Sequence, residues 1–241
     1  MKKSLSILFV LSCVTMLRAQ PPTYDDLLIL LADENYPKLI KESTKYSEKD
    51  DTKNDPVVYY YLAQGYYRIS FVSDRDEEYK NAYKQVFSVL GKCFKKDKDS
   101  TVYEKYNDFF AEVRQSLVEA VENDLEAGDY RKAGGWVRKG YKMNRYDVGG
   151  FYLEGACKYM VADKGGAKAL WKEADKLLEN VKSLDDYFPA DKKMLKLGVF
   201  MTAECYIKMK QPDKAKALLG KVAQWYENDS DFKQRYDEIV N

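Results

Sequence analysis

A short turn motif recurs along this chain at a spacing of 34 residues. The segments DYRKA (129–133) and DKGGA (163–167) both begin with aspartate and end with alanine, and a tryptophan follows each alanine within four residues. Around the second copy, residues 151–174 are typical of two short helices joined by a turn at 162–166. A fixed period of this size indicates a chain built from stacked supersecondary units. The spacing therefore predicts an array of helical hairpins that bury their apolar faces against one another.

Hydrophobic spacing extends this prediction along the chain. Apolar residues recur at steps of three and four, and thirteen glycines and six prolines are too few for the many tight turns of a β-sandwich. A 14-residue insertion within the connection 177–195 separates the last two hairpins, and residues 230–240 predict a terminal capping helix. The five predicted hairpins lie within residues 21–55, 57–97, 101–144, 151–174 and 196–226.

The alternation of bulky and small residues in these hairpins resembles the tetratricopeptide repeat (TPR), a 34-residue helix–turn–helix unit. In the fourth hairpin the matching residues are Phe151, Gly155, Ala167, Trp171 and Ala174. In the fifth they are Val199, Ala203, Tyr206, Ala215, Leu219 and Val222. The match is partial elsewhere, and Val121 replaces a small residue in the third hairpin. The resemblance implies an all-α, right-handed superhelix of about five TPR-like hairpins with a C-terminal capping helix, over residues 21–241.

The first 20 residues predict a secretory signal peptide. Lys2 and Lys3 precede a short apolar run at 7–17, and Ala19 ends a small-residue cleavage site. The run is too short for a membrane-spanning helix. We therefore expect an exported bacterial protein of the periplasm or cell envelope.

A second interpretation of the leader stays open. Val10-Leu11-Ser12-Cys13 resembles a bacterial lipobox, in which the cysteine is lipidated. Lipidation of Cys13 would anchor the protein at the outer membrane, and this anchor is the one route to membrane association that the sequence offers.

Charge argues against nucleic-acid binding. Removing the leader takes away Lys2, Lys3 and Arg18, so the net charge of +1 becomes −2. A near-neutral chain with interspersed charges lacks the electrostatic footprint of a nucleic-acid-binding protein.

Residue types argue against catalysis and cofactors. The chain contains no histidine, which excludes a Ser-His-Asp or Cys-His arrangement within it. The glycine pairs do not fit a phosphate-binding loop, and isolated cysteines do not predict a zinc site. We expect no metal, no cofactor and no enzymatic activity. A lytic cell-wall enzyme, which Glu42-Ser43 faintly resembles, is a distant third possibility because that fold needs a further globular domain.

The cysteines are predicted to be free. Cys157 and Cys205 occupy equivalent positions in neighbouring hairpins, where helices lie about 8–10 Å apart. A disulfide needs Cα atoms about 4.4–6.8 Å apart. We expect two buried thiols.

The resemblance also implies a binding groove, because in this family the first helices of the hairpins line a concave surface. The residues at the groove-lining positions are Tyr60, Tyr67, Tyr152, Tyr159, Phe200 and Ile207. Tyrosine offers contact area with a polar tip, which suits an extended peptide or a partner helix. The alternative is that these side chains pack between the repeats.

Two functions follow from the sequence. The first is an exported, non-enzymatic TPR scaffold that binds another envelope protein or peptide through its concave groove. The alternative is a lipid-anchored structural subunit of an outer-membrane assembly or protein secretion machine.

Overall fold

The computed structural model describes residues 23–144 and 147–240. The predicted signal peptide and Cys13 lie outside the described residues. In the part of the chain that is described, no helix is both long and apolar enough to cross a lipid bilayer.

The described chain is all-α, as the sequence predicts, and contains twelve α-helices and no strands. Short 3₁₀ turns occupy Glu77–Tyr79 and Ala223–Tyr226. The helices are α1 (Asp25–Ala32), α2 (Tyr36–Glu48), α3 (Pro56–Ile69), α4 (Ala82–Lys96), α5 (Thr101–Lys105), α6 (Asn107–Glu126), α7 (Tyr130–Gly140), α8 (Val148–Met160), α9 (Lys164–Leu178), α10 (Pro189–Lys208), α11 (Pro212–Val222) and α12 (Ser230–Val240).

Neighbouring helices pack in pairs: α1 with α2, α3 with α4, α6 with α7, α8 with α9, and α10 with α11. Helix α12 packs against α10 and α11 at the C-terminal end. Paired packing therefore agrees with the predicted hairpins, whereas the right-handed superhelical winding stays a prediction.

The same turn joins four of the five pairs. Its central residue has a positive φ: Glu34 (56°), Gly128 (73°), Ala162 (70°) or Lys210 (57°). The amide of the next residue donates to the carbonyl five residues earlier, at 2.8–2.9 Å, which is the closing hydrogen bond of a Schellman motif. The recurrence of this geometry is the structural counterpart of the sequence period.

Aspartates after two of these turns start the second helices. Asp129 and Asp163 each accept a hydrogen bond from the backbone N–H three residues on, which satisfies a free donor of the first turn. The alanines that follow, Ala133 and Ala167, are fully buried. Small side chains at these points let the paired helices approach closely.

Glycines bring α8 and α10 into backbone contact. A Cβ added to Gly198 would collide with the carbonyl oxygen of Gly149, and one added to Gly149 would collide with the backbone of Leu195. This contact joins the fourth and fifth pairs.

The connection before α10 is partly helical. The sequence predicts some helix at either end of the connection 177–195 and the first helix of the fifth pair from Lys196, and the structure joins the two, because α10 begins at Pro189. Phe188 precedes it with an extended backbone, and Pro189 stands at the first helical position, where its fixed φ favours a helix start. The additional residues include Ala190 and Met194, which are buried in a hydrophobic cluster with residues of α6, α7 and α8. Part of the insertion is therefore a helical extension that packs over the third and fourth pairs.

Candidate binding surface

Four of the six predicted groove residues are buried in the core. Tyr60, Tyr67, Tyr152 and Phe200 are at most 7% exposed. The structure thus agrees with the alternative interpretation of these four, packing between repeats, and they offer no contact area to a partner.

Neighbouring helices supply the side chains that cover the two tyrosines of α3. The ring of Tyr60 stacks on Tyr106 with 3.6 Å between centroids. Tyr67 packs edge-on against Phe109 of α6 and Phe71. Aromatic residues at the start of the third pair therefore fill the space that the resemblance assigns to a ligand.

The C-terminal pairs are covered in the same way. The Tyr152 hydroxyl donates to Asp175 Oδ1 at 2.7 Å. Phe200 packs against Phe232 of α12, and the guanidinium of Arg235 lies 4.3 Å from its ring centroid. Helix α12 thus covers the face of α10 that carries Phe200.

Tyr159 and Ile207 remain accessible. Tyr159 is half-buried beside Trp171, and Ile207 is 42% exposed. The ends of their helices are neighbours, since Lys208 Nζ lies 3.4 Å from Met160 Sδ. Of the six predicted groove residues, Tyr159 and Ile207 are therefore the two that remain at the surface.

A cleft of about 460 Å³ lies where α4, α5, α6 and the start of α10 meet. We call it the central cleft. Four aromatic side chains from three segments line it, namely Phe94, Tyr103, Tyr187 and Phe188. Its polar lining includes Asp97, Arg114, Asp186 and Asp191.

Local hydrogen bonds fix the walls of the central cleft. The Asp97 carboxylate accepts the backbone N–H groups of Val102 (3.1 Å) and Tyr103 (2.7 Å), which holds the start of α5 and the Tyr103 ring in place. The Tyr187 amide donates to the carbonyl of the buried Leu184 at 3.0 Å. The walls therefore exist before any ligand arrives.

Arg114 is the central polar group of the cleft. Its Nη1 donates to both carboxylate oxygens of Asp191, at 3.0 and 3.1 Å, and its guanidinium lies 4.7 Å from the ring centroid of Phe188. The side chain is 7% exposed, and Nε is buried with no hydrogen-bond partner among the described residues. A buried donor without an acceptor is costly, and Arg114 is one of the residues that line the cleft.

Carboxyl groups behind Arg114 titrate abnormally. Burial raises the pKa of Asp191, while the Arg114 guanidinium opposes this shift. Burial and the Asp191 carboxylate raise the pKa of Asp147 to about 7, although the Gly150 amide donates to it at 2.9 Å. Near neutral pH Asp147 is therefore partly protonated, beside the Arg114–Asp191 pair.

The sequence analysis did not single out Arg114, Asp191 or Phe188. One signal was present: Arg114 is the single basic residue of α6, a helix with six acidic residues. The partner Asp191 lies in the connection 177–195, for which the sequence predicts some helix at either end without giving its bounds.

The three described cysteines are free and buried, as predicted for Cys157 and Cys205. Burial raises the pKa of both thiols to about 12. Such thiols are poor nucleophiles and poor metal ligands at neutral pH.

Comparison of the chain with protein-family models, curated proteins and solved structures found no match. The resemblance to the TPR family therefore rests on the residues quoted above.

Proposed function

We propose that this protein is an exported, non-enzymatic helical scaffold that binds another protein or peptide of the cell envelope. Its array of paired helices supports the proposal, because such arrays offer extended surfaces on a preformed framework. The binding site that the geometry favours is the central cleft, since four of the six predicted groove residues are buried.

The unused Nε donor of Arg114 is the observation on which this assignment rests. Nε is closed to solvent, so a backbone carbonyl of an entering peptide would supply the missing acceptor only with a small shift of the Arg114 side chain; such a carbonyl adds no charge beside Asp191. Aromatic walls supply contact area, and Tyr and Arg are the residue types that contribute most to protein interfaces. Because the walls are held by the protein's own hydrogen bonds, little ordering is needed on binding.

Quantitative cross-linking in the native envelope, with Tyr187→Ala, tests this assignment. Tyr187 is half-buried on the cleft wall, so its loss should remove contact area while the Arg114–Asp191 pair stays intact. Tyr36→Ala is the matched control, because Tyr36 is equally half-buried on α2 and does not line the cleft. Circular dichroism confirms that both variants fold.

We expect Tyr187→Ala to reduce the yield of the cross-linked partner about tenfold, a typical cost for an interface tyrosine, and Tyr36→Ala to leave it unchanged. Equal yields from both variants would exclude the central cleft. A specific catalytic turnover by the purified protein would exclude the non-enzymatic scaffold itself.

A further inference from the structure

The near-neutral total charge conceals a separation of charge between helices. Helices α4 and α7 each contain four basic residues and no acidic residue. Helix α6, which pairs with α7, contains six acidic residues and one arginine. Positive charge is therefore concentrated on second helices of the hairpins, away from the central cleft's acidic groups.

The two basic helices are in contact with each other, and three lysines meet along their junction. Lys84 of α4 and Lys142 are exposed, and Lys139 of α7 is half-buried. We call Lys84, Lys139 and Lys142 the lysine patch.

Packing holds two of these lysines in position. Lys142 Nζ donates to Ser88 Oγ at 3.0 Å, and its Cβ lies against Gly91, where an added Cβ would be only 3.1 Å away. Lys139 Nζ lies 5.2 Å from the ring centroid of Trp136, a cation–π distance. The ammonium groups of Lys142 and Lys139 are thus held in position by Ser88 and Trp136.

Acidic neighbours do not neutralise the patch. Within the described ranges, none of the three lysines has a carboxylate oxygen within 4.0 Å. Burial lowers the pKa of Lys139, and the charges of Lys84, Arg138 and Lys142 lower it further. Three exposed lysines elsewhere serve as a comparison: Lys45, Lys80 and Lys176 each pair with a glutamate three residues earlier.

We propose that the lysine patch docks an acidic segment of a partner protein, whose Asp and Glu side chains supply the missing counter-charges. None of the three lysines lines the central cleft, so each site is tested by its own variant and either can fail without the other.

Two observations favour a polypeptide over a membrane or a nucleic acid. The large apolar side chains that are exposed among the described residues are Leu28, Ile29, Phe71 and Ile207, and none lies on α4 or α7. Phe71 lies near the patch, since its ring centroid is 6.2 Å from that of Tyr83 on α4, but a single ring is not the continuous apolar face with which an amphipathic helix enters a bilayer. The cations of the patch are lysines, which are point charges, whereas phosphate recognition favours the bidentate fork of arginine.

The test is fluorescence anisotropy with a labelled octaglutamate peptide, at about 50 and 300 mM salt, which span weak and strong screening. The patch variant is Lys84→Gln with Lys139→Gln and Lys142→Gln. The control variant is Lys45→Gln with Lys80→Gln and Lys176→Gln. Both remove three positive charges, but only the patch variant removes charges that lack an acidic neighbour.

We expect the patch variant to bind octaglutamate at least about tenfold more weakly than the parent at low salt, and the control variant to change affinity less than about twofold. The difference should shrink at high salt. Peptide binding should also raise the pKa of Lys139, measured by NMR of its side chain.

Equal weakening by both triple variants would overturn the proposal, as would the absence of saturable binding by the parent protein. Anionic phospholipid vesicles and a single-stranded DNA oligonucleotide are run as competitors. If the vesicles or the DNA bound more tightly than octaglutamate, the occupant of the lysine patch would be a membrane or a nucleic acid, and the proposal would be overturned. Self-association that only the patch variant abolishes would show that the occupant is a second copy of the chain, which would also overturn it.

Discussion

Gly155→Ala tests whether the small residues of the fourth hairpin are packing positions. A Cβ at residue 155 would lie 2.5 Å from Trp171 Nε1 and 2.6 Å from its Cδ1. Trp171 is 2% exposed, and its Nε1 donates to the carbonyl of Tyr152 at 3.2 Å. To restore a normal contact the indole must move by at least about 0.5 Å, which strains this hydrogen bond.

The magnitude follows from three contributions. Overpacking of a close-packed interior costs about 1–3 kcal/mol, and loss of the indole hydrogen bond leaves a buried donor that costs about 1–3 kcal/mol. The Tyr152 carbonyl stays satisfied because Thr202 Oγ1 also donates to it, at 3.0 Å. Alanine regains about 1 kcal/mol of helix propensity relative to glycine. We expect a net destabilisation of about 2 kcal/mol, which lowers Tm by about 4–8 °C for a chain of this size.

Thermal and urea unfolding followed by circular dichroism measure this change. Gly220→Ala is the matched control, since a Cβ at 220 in α11 meets no atom within 4 Å. The control should gain up to about 1 kcal/mol from helix propensity. If Gly155→Ala were as stable as Gly220→Ala, the close helix approach at Gly155 would be refuted, and with it the packing role of the small residues.

Three further predictions concern pH, thiols and export. The pKa of Asp147 is raised to about 7 in the folded chain, so the contribution of its protonated form to stability is complete below about pH 4, where the folded and unfolded states are both protonated, and is lost as pH rises towards 7. Asp147→Asn should therefore flatten the decline of Tm between about pH 4 and 7. An unchanged dependence of Tm on pH would contradict this. Since burial raises the pKa of Cys157 and Cys205 to about 12, a thiol reagent should label them far more slowly in the native protein than in urea, and rapid native labelling would show that they are accessible. Intact mass of the protein from its native envelope should show a chain beginning near Gln20, or at an acylated Cys13 if the lipobox is used; a chain that retains the whole leader would contradict both predictions.

Local chemistry made the helices and their turns predictable. The pattern at Asp129 and Asp163 combines a cap with a small residue four positions later, and both features act within a few residues. The structure shows this same turn in four hairpins, including those with Glu34 and Lys210 at the positive-φ position. At Lys210, where no glycine marks the turn, Ala215 was the more informative signal, whereas the Glu34 turn has Leu39 at the equivalent position.

The filling of the groove was not predictable from the repeat pattern. Whether Tyr60 faces a ligand or the protein depends on Tyr106, which is 46 residues away in sequence and stacks on it. The same holds for Arg114 and Asp191, whose pairing requires α10 to begin at Pro189. A proline after an extended residue is a helix-start signal, but the repeat alignment assigned that region to a connection. Contacts between distant segments thus decided which aromatic faces are buried.

The lysine patch also bears on stability, because none of its three charges forms an ion pair within the described ranges. Like charges that crowd one surface destabilise a folded protein, and after burial, which is the largest cause, the charges of Lys84, Arg138 and Lys142 contribute to the lowered pKa of Lys139. If the lysines serve binding, their neutralisation should change affinity and stability differently. The patch variant should bind octaglutamate more weakly than the parent, yet have the same Tm or a slightly higher one. In the control variant each substitution removes a surface ion pair, so its Tm should stay equal or fall slightly. A patch variant that melts well below the control would show that these lysines are needed for the fold, and its weaker binding would then carry no functional meaning.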